Sequence, residues 1–143
     1  MDHKLNCVLL VDDDNLTNCF SNIVIKEAGC ASHVEIKTSV EDALAYLVGC
    51  DCMTTQETEF CFPDLIFLDK NMPGKGGWDF IKLYKKLKDK FVKKPVIIMI
   101  SSSIHLQDQV KAMRSAEVSD IVDKPLTIEI LNEVLVRYFP GTF

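Results

Sequence analysis

The sequence lacks the features of membrane, secreted and repetitive proteins. No apolar run approaches the ~20 residues that a membrane-spanning helix needs, and residues 1–6 lack the apolar stretch of a secretory signal. There is also no internal repeat, no low-complexity tract and no linker to a second domain. We therefore expect one cytoplasmic domain over residues 1–143, with its core at about 5–139 and no membrane contact.

Basic residues are too few to make the chain positive overall. Sixteen Lys and Arg stand against 21 Asp and Glu, so the net charge is −5 and the pI is near 5.1. Because neutralising nucleic-acid phosphates requires clustered cations, we expect no direct binding to nucleic acid.

The six cysteines lack the spacing of a structural framework. They are scattered along the chain, and the three that share one segment, Cys50, Cys52 and Cys61, do not form the paired motifs of structural zinc sites. Reduced thiols are the expectation, as in most proteins of the cytosol.

Apolar runs of strand length alternate with segments of helical period. Cys7–Val11, Ile66–Leu68 and Val96–Ile100 are nearly continuous apolar runs, which is typical of central strands buried on both faces. Val34–Lys37 and Ile121–Val122 are weaker and edge-like. The alternation predicts an α/β protein, a (βα)₅ fold with a doubly wound, five-stranded parallel sheet.

Five helices are predicted between and after these strands. The first carries an apolar stripe with helical spacing and ends at Gly29, and the second begins at Ser39 and ends at Gly49. The others are predicted at Trp78–Leu87, Leu106–Met113 and Thr127–Phe139. The stripe of the first helix consists of Leu16, Cys19, Phe20 and Ile23. Residues 50–62 show no clear period and are predicted to form a long loop.

The predicted strands end in residues that can carry chemistry. Ligand sites of open parallel sheets lie beyond the carboxyl ends of the strands. The first, third, fourth and fifth strands end, respectively, in Asp12-Asp13-Asp14, Asp69, Ser101-Ser102-Ser103 and Asp123-Lys124-Pro125. Of the three consecutive aspartates, Asp14 is the best candidate for the N-cap of the first helix.

Asp12, Asp13 and Asp69 would form a carboxylate cluster that needs a cation. Two like charges ~4 Å apart repel by ~4 kcal/mol at an effective dielectric of about 20. Mg²⁺ suits such oxygen ligands best, and Mn²⁺ is the alternative ion. With Lys124 opposite the metal and a serine hydroxyl nearby, the set can stabilise a phosphoryl group during its transfer to a carboxylate. Asp69 is the predicted acceptor because it is the lone acid on a central strand.

Four ordered motifs resemble the receiver domains of two-component response regulators. They are VLLVDDD, DLIFLDKNMPGKGGWDF, VIIMISSS and DIVDKPLT, and together they span nearly the whole chain. The resemblance implies the flavodoxin-like receiver fold and a stand-alone, chemotaxis-regulator-like protein. It also implies a histidine kinase or histidine phosphotransfer protein as phosphoryl donor, and a downstream protein whose identity the motifs do not give.

The same resemblance implies a role for each site residue. Asp13 and Asp69 would ligate the metal directly, the backbone carbonyl of Asn71 would be a third ligand, and Asp12 would act through water. Lys124 would pair with the phosphoryl group.

Two further details follow from the resemblance, together with two departures from it. The Lys124–Pro125 bond is expected to be cis, and the switch hydroxyl falls on Ser101, with Ser102 as the alternative. The pair Gly76-Gly77 replaces the frequent Asp-Gly pair, and Ile121 replaces a frequent aromatic residue.

Two other functions fit parts of this pattern. One is a non-phosphorylated pseudo-receiver that acts only as a binding module. The other is an aspartate-nucleophile phosphatase of the haloacid dehalogenase type, which needs an acid two residues beyond the nucleophile, where this chain has Asn71. We therefore expect no enzyme in the usual sense, only self-directed phosphoryl transfer and autodephosphorylation.

Overall fold

A computed structural model describes residues 4–143, so the first three residues of the predicted domain lie outside the described part. Its five strands form one parallel sheet in the order β2-β1-β3-β4-β5. The strands are β1 (Leu5–Val11), β2 (Ala31–Lys37), β3 (Leu65–Asp69), β4 (Val96–Ser101) and β5 (Val118–Asp123). The predicted doubly wound sheet is confirmed, with the two weak strand candidates at its edges.

Six α-helices accompany the sheet in residues 4–143, one more than predicted. They are α1 (Asn15–Ala28), α2 (Val40–Asp51), α3 (Thr55–Cys61), α4 (Gly77–Leu87), α5 (Leu106–Arg114) and α6 (Ile128–Tyr138). None of these helices is long and apolar enough to cross a membrane. All six cysteines are free thiols.

The predicted long loop at residues 50–62 is wrong. Helix α2 continues through Gly49, whose backbone is not left-handed, and α3 follows after a short turn. The Thr54 side chain caps α3 by accepting from the Glu57 N–H, and the Thr58 hydroxyl donates to the Cys50 carbonyl at 2.7 Å. A seven-residue helix whose buried residue is the polar Thr58 has no apolar period to detect.

The first helix is present as predicted, but its apolar stripe faces outward. Leu16, Phe20 and Ile23 are 81%, 47% and 51% exposed. The side facing the protein carries Asn18, Ser21 and Ile25, and the Asn18 side-chain amide donates to the Asp12 carbonyl at 2.8 Å. Gly29 ends the helix in the left-handed conformation with φ 63°, as predicted.

Two apolar layers sandwich the sheet and hold its strand ends in place. Helices α2 and α4 cover one face, and α1 and α6 cover the other. Alternate residues of the central strands supply the two layers, for example Leu9 and Ile66 to one and Val8 and Leu65 to the other. The carboxyl ends of β1, β3, β4 and β5 therefore meet at one rigid edge.

Candidate functional site

Three carboxylates converge at this edge. Asp12 and Asp13 follow β1 directly, and Asp69 is the last residue of β3, the neighbouring strand. One oxygen from each carboxylate lies within 4.8 Å of one oxygen from each of the others. Asp12 and Asp69 are buried, whereas Asp13 is exposed. Such close like charges favour a cation between them.

Lys124 contributes a positive charge from the end of β5. Its Nζ lies 2.7 Å from Asp12 Oδ2 and 3.2 Å from Asp69 Oδ1. The backbone N–H of Lys124 donates to the Ser101 carbonyl at 2.9 Å, which ties the ends of β5 and β4 together. The Lys124–Pro125 bond is cis, as the resemblance implies.

Burial and charge act on the ionisation of the central pair. Burial, and then repulsion by Asp12, raise the pKa of Asp69 above its ordinary value, although Lys124 partly opposes this rise. Burial opposes the charge of Lys124, but the Asp12 and Asp69 carboxylates together raise the pKa of Lys124. The ammonium therefore stays charged, while the Asp69 carboxylate carries its charge at a cost in free energy.

The two aspartates after β1 have different surroundings. Asp12 Oδ1 accepts from the Asp14 N–H at 2.9 Å, and its other oxygen holds Lys124. Asp14 is the N-cap of α1, as predicted, and accepts from the Leu16 N–H at 3.0 Å. Asp13 is exposed and makes no side-chain hydrogen bond or ion pair with any residue in 4–143. Its carboxylate is thus the one open to a ligand.

The serine run divides into a buried and an exposed part. Ser101 is the last residue of β4 and is fully buried. Its hydroxyl donates to the Ser103 carbonyl at 3.0 Å and accepts from the Ser103 N–H at 3.0 Å. Ser102 is exposed. The hydroxyl at the strand end therefore belongs to Ser101.

The loop after Asp69 closes tightly over the end of β3. The Asn71 N–H donates to Asp69 Oδ1 at 3.2 Å, which orients the carboxylate. Added Cβ atoms would clash with the Lys70 carbonyl at Gly76 and lie 2.9 Å from the Asp69 carbonyl at Gly77. Both members of the Gly76-Gly77 pair thus serve a close backbone approach, which explains this departure from the receiver motif.

A second ion pair links this loop to α5, and no motif had pointed to it. Lys70 Nζ donates to the Ser103 carbonyl at 2.7 Å and to Asp108 Oδ2 at 2.7 Å. Asp108 also accepts from the His105 N–H at 3.0 Å and from the Trp78 indole N–H at 3.3 Å. Lys70 is the main cause that lowers the pKa of Asp108 to about 2. Lys70 directly follows the predicted acceptor in the sequence, but no motif or periodicity indicates that it pairs with Asp108.

The sequence and the fold both match known receivers. The family model described as "Response regulator receiver domain" matches residues 8–136. The chain therefore belongs to the response regulator receiver family, whose members act as phosphoryl-accepting switches rather than classical enzymes. Receiver domains bind Mg²⁺ at an acidic aspartate cluster and interact with histidine kinases and phosphotransfer proteins.

Similarity to individual proteins supports the assignment to the receiver family. The chain is 32% identical over 124 residues to two-component response regulator ARR22 of Arabidopsis thaliana, covering 87% of this chain and 77% of that protein. It is similar to a crystal structure of a two-component response regulator from Cytophaga hutchinsonii, with TM-score 0.84, 31% identity and coverage of 95% and 98%.

A third similarity concerns the fold alone. The receiver domain of the histidine kinase CKI1 from Arabidopsis thaliana, complexed with Mg²⁺ and BeF₃⁻, has TM-score 0.76 and 21% identity, with 92% of this chain and 90% of that chain covered.

Proposed function

We propose that Asp69 accepts a phosphoryl group from a histidine kinase or a histidine phosphotransfer protein in a Mg²⁺-dependent reaction. The observation that carries the proposal is that Asp69, 3% exposed, lies 3.2 Å from the Lys124 ammonium and close to the other two carboxylates. A nucleophile needs neutralisation of the charge on the incoming phosphoryl oxygens. Lys124 would supply positive charge on one side of the phosphoryl group, and a divalent ion would supply it on the other side.

The metal would be held by Asp13 and Asp69 directly, by the Asn71 carbonyl, and by Asp12 through water. The surroundings of the two neighbouring aspartates support this division, because both oxygens of Asp12 already have partners and Asp13 is open. An all-oxygen set of carboxylates and a carbonyl is the chemistry that Mg²⁺ prefers, with Mn²⁺ as the alternative ion. The CKI1 receiver was crystallised with Mg²⁺.

The reaction transfers one phosphoryl group without other chemistry. The phosphorus–nitrogen bond of the donor phosphohistidine breaks as a bond forms to Asp69, and the imidazole nitrogen keeps the electron pair. Lys124 pairs with the transferred group, and the Ser101 hydroxyl turns from Ser103 to one of its oxygens. Later attack by water on phosphorus regenerates the carboxylate, which is the autodephosphorylation step.

The exposed stripe of α1 suits the approach of the donor. The helix starts directly after the aspartates, and Leu16, Phe20 and Ile23 form an apolar band on its outer side. Apolar surface of this kind is typical of a protein contact. A donor seated on α1 would bring its histidine to the side of the site where Asp13 is open.

The test is covalent labelling. Acetyl phosphate with Mg²⁺ should add one phosphoryl mass to the wild-type chain, and Asp69→Asn should abolish the addition, with Asp89→Asn as a matched exposed control. Intact-protein mass spectrometry reads the result. Equal labelling of wild type and Asp69→Asn would rule out Asp69 as acceptor, and no labelling of either would favour the pseudo-receiver alternative.

A further inference from the structure

Many of the basic residues of this acidic chain are concentrated in one segment. Residues 82–94 contain seven lysines and one aspartate, a net of +6, so the rest of the chain carries −11. The basic residues lie on α4 and the turn after it. A concentration of like charge in one segment of an acidic protein calls for an explanation by structure or by function.

Three of these lysines have structural partners. Lys88 pairs with the buried Glu117, and Lys93 pairs with Asp64 at 2.8 Å. Lys94 donates to the Lys88 carbonyl at 2.7 Å. These contacts account for three of the seven lysines in residues 82–94.

Two other lysines, on α4, face a groove in which cations outnumber acids. Lys82 and Lys85 line a cavity of about 430 Å³ between α4 and α5, together with Lys111 and Arg114 of α5. None of these four cations forms an ion pair with a residue of the described range 4–143. The other lining residues are Trp78, Asp79, Ile81 and Ser115, so one acid faces four cations.

We propose that this groove, lined by α4 and α5, binds an acidic segment of a partner protein. Four cations held around one concavity repel each other, and an anionic occupant would relieve that repulsion. The carbon stems of the lysines, with Ile81 and Trp78, offer apolar contact between the charges. The site is separate from the Asp69 centre, and the proposal does not depend on phosphorylation.

The surroundings favour a short acidic peptide over a nucleic acid. A long polyanion would extend beyond the groove onto a molecule that carries −11 outside the basic segment. The groove has one aromatic ring, Trp78, and Lys111 Nζ lies 4.7 Å from its centroid, so that face is not free to stack a base. A segment of a few acidic residues spans the groove without meeting this repulsion.

The single tryptophan of the chain is a built-in reporter for the test. A synthetic twelve-residue peptide of alternating glutamate and leucine is titrated into the full chain while Trp78 fluorescence is followed. We expect a saturable change that weakens as NaCl rises, because the contacts are electrostatic and exposed. Lys82→Glu/Arg114→Glu should weaken binding by about tenfold or more, while leaving Lys111 beside the reporter.

The matched control is Lys4→Glu/Lys26→Glu, which makes the same change in net charge at exposed positions outside the groove. It should bind the peptide about as well as the wild type, and circular dichroism should show both variants folded. Three results would each overturn the proposal: no saturable binding by the wild type, an equal loss in the control, or equally tight binding of a single-stranded DNA oligomer.

Discussion

At the scale of single residues, the neighbouring aspartates Asp12 and Asp13 have opposite surroundings. The Asp12 carboxylate is buried and held by Lys124 and the Asp14 N–H, whereas the Asp13 carboxylate is open. A metal ligand must offer a free lone pair in the direction of the ion. The difference between the two positions is thus set by what β1 and β5 place around them.

Mg²⁺ affinity should fall more in Asp13→Ala than in Asp12→Ala. In the proposed metal site Asp12 acts through water, and outer-shell partners typically change affinity by about 10- to 100-fold, so we expect about tenfold for Asp12→Ala. Loss of Asp13 removes a direct ligand and should cost more. Titration calorimetry with MgCl₂ measures both, and the reverse order would exchange the roles assigned to the two residues.

The residues of the site were predictable because each follows a strand. Because parallel strands present their carboxyl ends to one edge, the sequence alone predicts that Asp12, Asp13, Asp69 and Lys124 lie together. The Lys70–Asp108 pair was not predictable in this way. Its partners lie 38 residues apart, and such a pairing leaves no periodic or motif signal in the sequence.

At the scale of elements, the segment between β4 and α5 is held from two sides. The Ser103 carbonyl accepts from both the Ser101 hydroxyl and the Lys70 ammonium. Lys70 also pairs with Asp108. The Asp108 carboxylate accepts from the backbone N–H of His105, the N-cap residue of α5. If the Ser101 hydroxyl turns to a phosphoryl group, Lys70 is the donor that keeps the Ser103 carbonyl satisfied.

Lys70→Met should loosen the start of α5 without removing any residue of the acceptor site. Asp108 would lose its cation and the Ser103 carbonyl one of its two donors, so amide exchange in residues 101–114 should speed up by on the order of tenfold. Hydrogen-exchange mass spectrometry measures this. Lys75→Met is the control, since Lys75 forms an exposed pair with Glu41. Unchanged exchange in Lys70→Met would show that the ion pair does not restrain the segment.

Phosphorylation should be transmitted by movement of a loop and a helix. Ile121 is half-buried on β5 and has no ring or hydroxyl that could swing into space left by Ser101. The exposed Leu106 and Met113 make α5 an apolar surface that can meet a downstream protein. With beryllofluoride and Mg²⁺, we expect amide chemical-shift changes throughout residues 104–113. Changes confined to the surroundings of Asp13, Asp69 and Lys124 would contradict this mode of output.

Apolar periodicity predicted the position of some helices, but it did not predict which side of α1 is buried or that α3 exists. The apolar spacing of α1 located the helix but indicated the wrong face, because the inward side combines the apolar Ile25 with Asn18, which donates to the Asp12 carbonyl. Helix α3 was missed because it spans two turns and buries a threonine. In both helices a polar side chain on the inward side, Asn18 or Thr58, interrupts the apolar pattern.

At the scale of the whole molecule, the ionised carboxylate of Asp69 opposes the stability of the fold. Burial and Asp12 raise the pKa of Asp69, so the ionised carboxylate is less favourable in the folded than in the unfolded chain. This cost is present at pH values above the folded pKa. It disappears below the ordinary pKa of an unfolded aspartate, about 3.9.

Asp69→Asn should therefore raise the melting temperature at pH 7, because it keeps the shape of the side chain and removes its charge. The gain should shrink as the pH falls through the raised pKa and be absent well below about pH 3.9. Thermal unfolding followed by circular dichroism across this range is the measurement. The exposed Asp89→Asn should show no such gain, and a variant less stable than wild type at pH 7 would contradict the argument.

The origin of the site in four different strands has a consequence for the protein during its synthesis. Asp69 leaves the ribosome long before Lys124, which follows the fifth strand and is 55 residues further along. A nascent chain that already contains Asp69, the proposed acceptor, therefore lacks the ammonium that would stabilise the transferred group. A donor that meets such an incomplete chain finds an aspartate but no functional centre, so competence for signalling begins only when translation has passed β5.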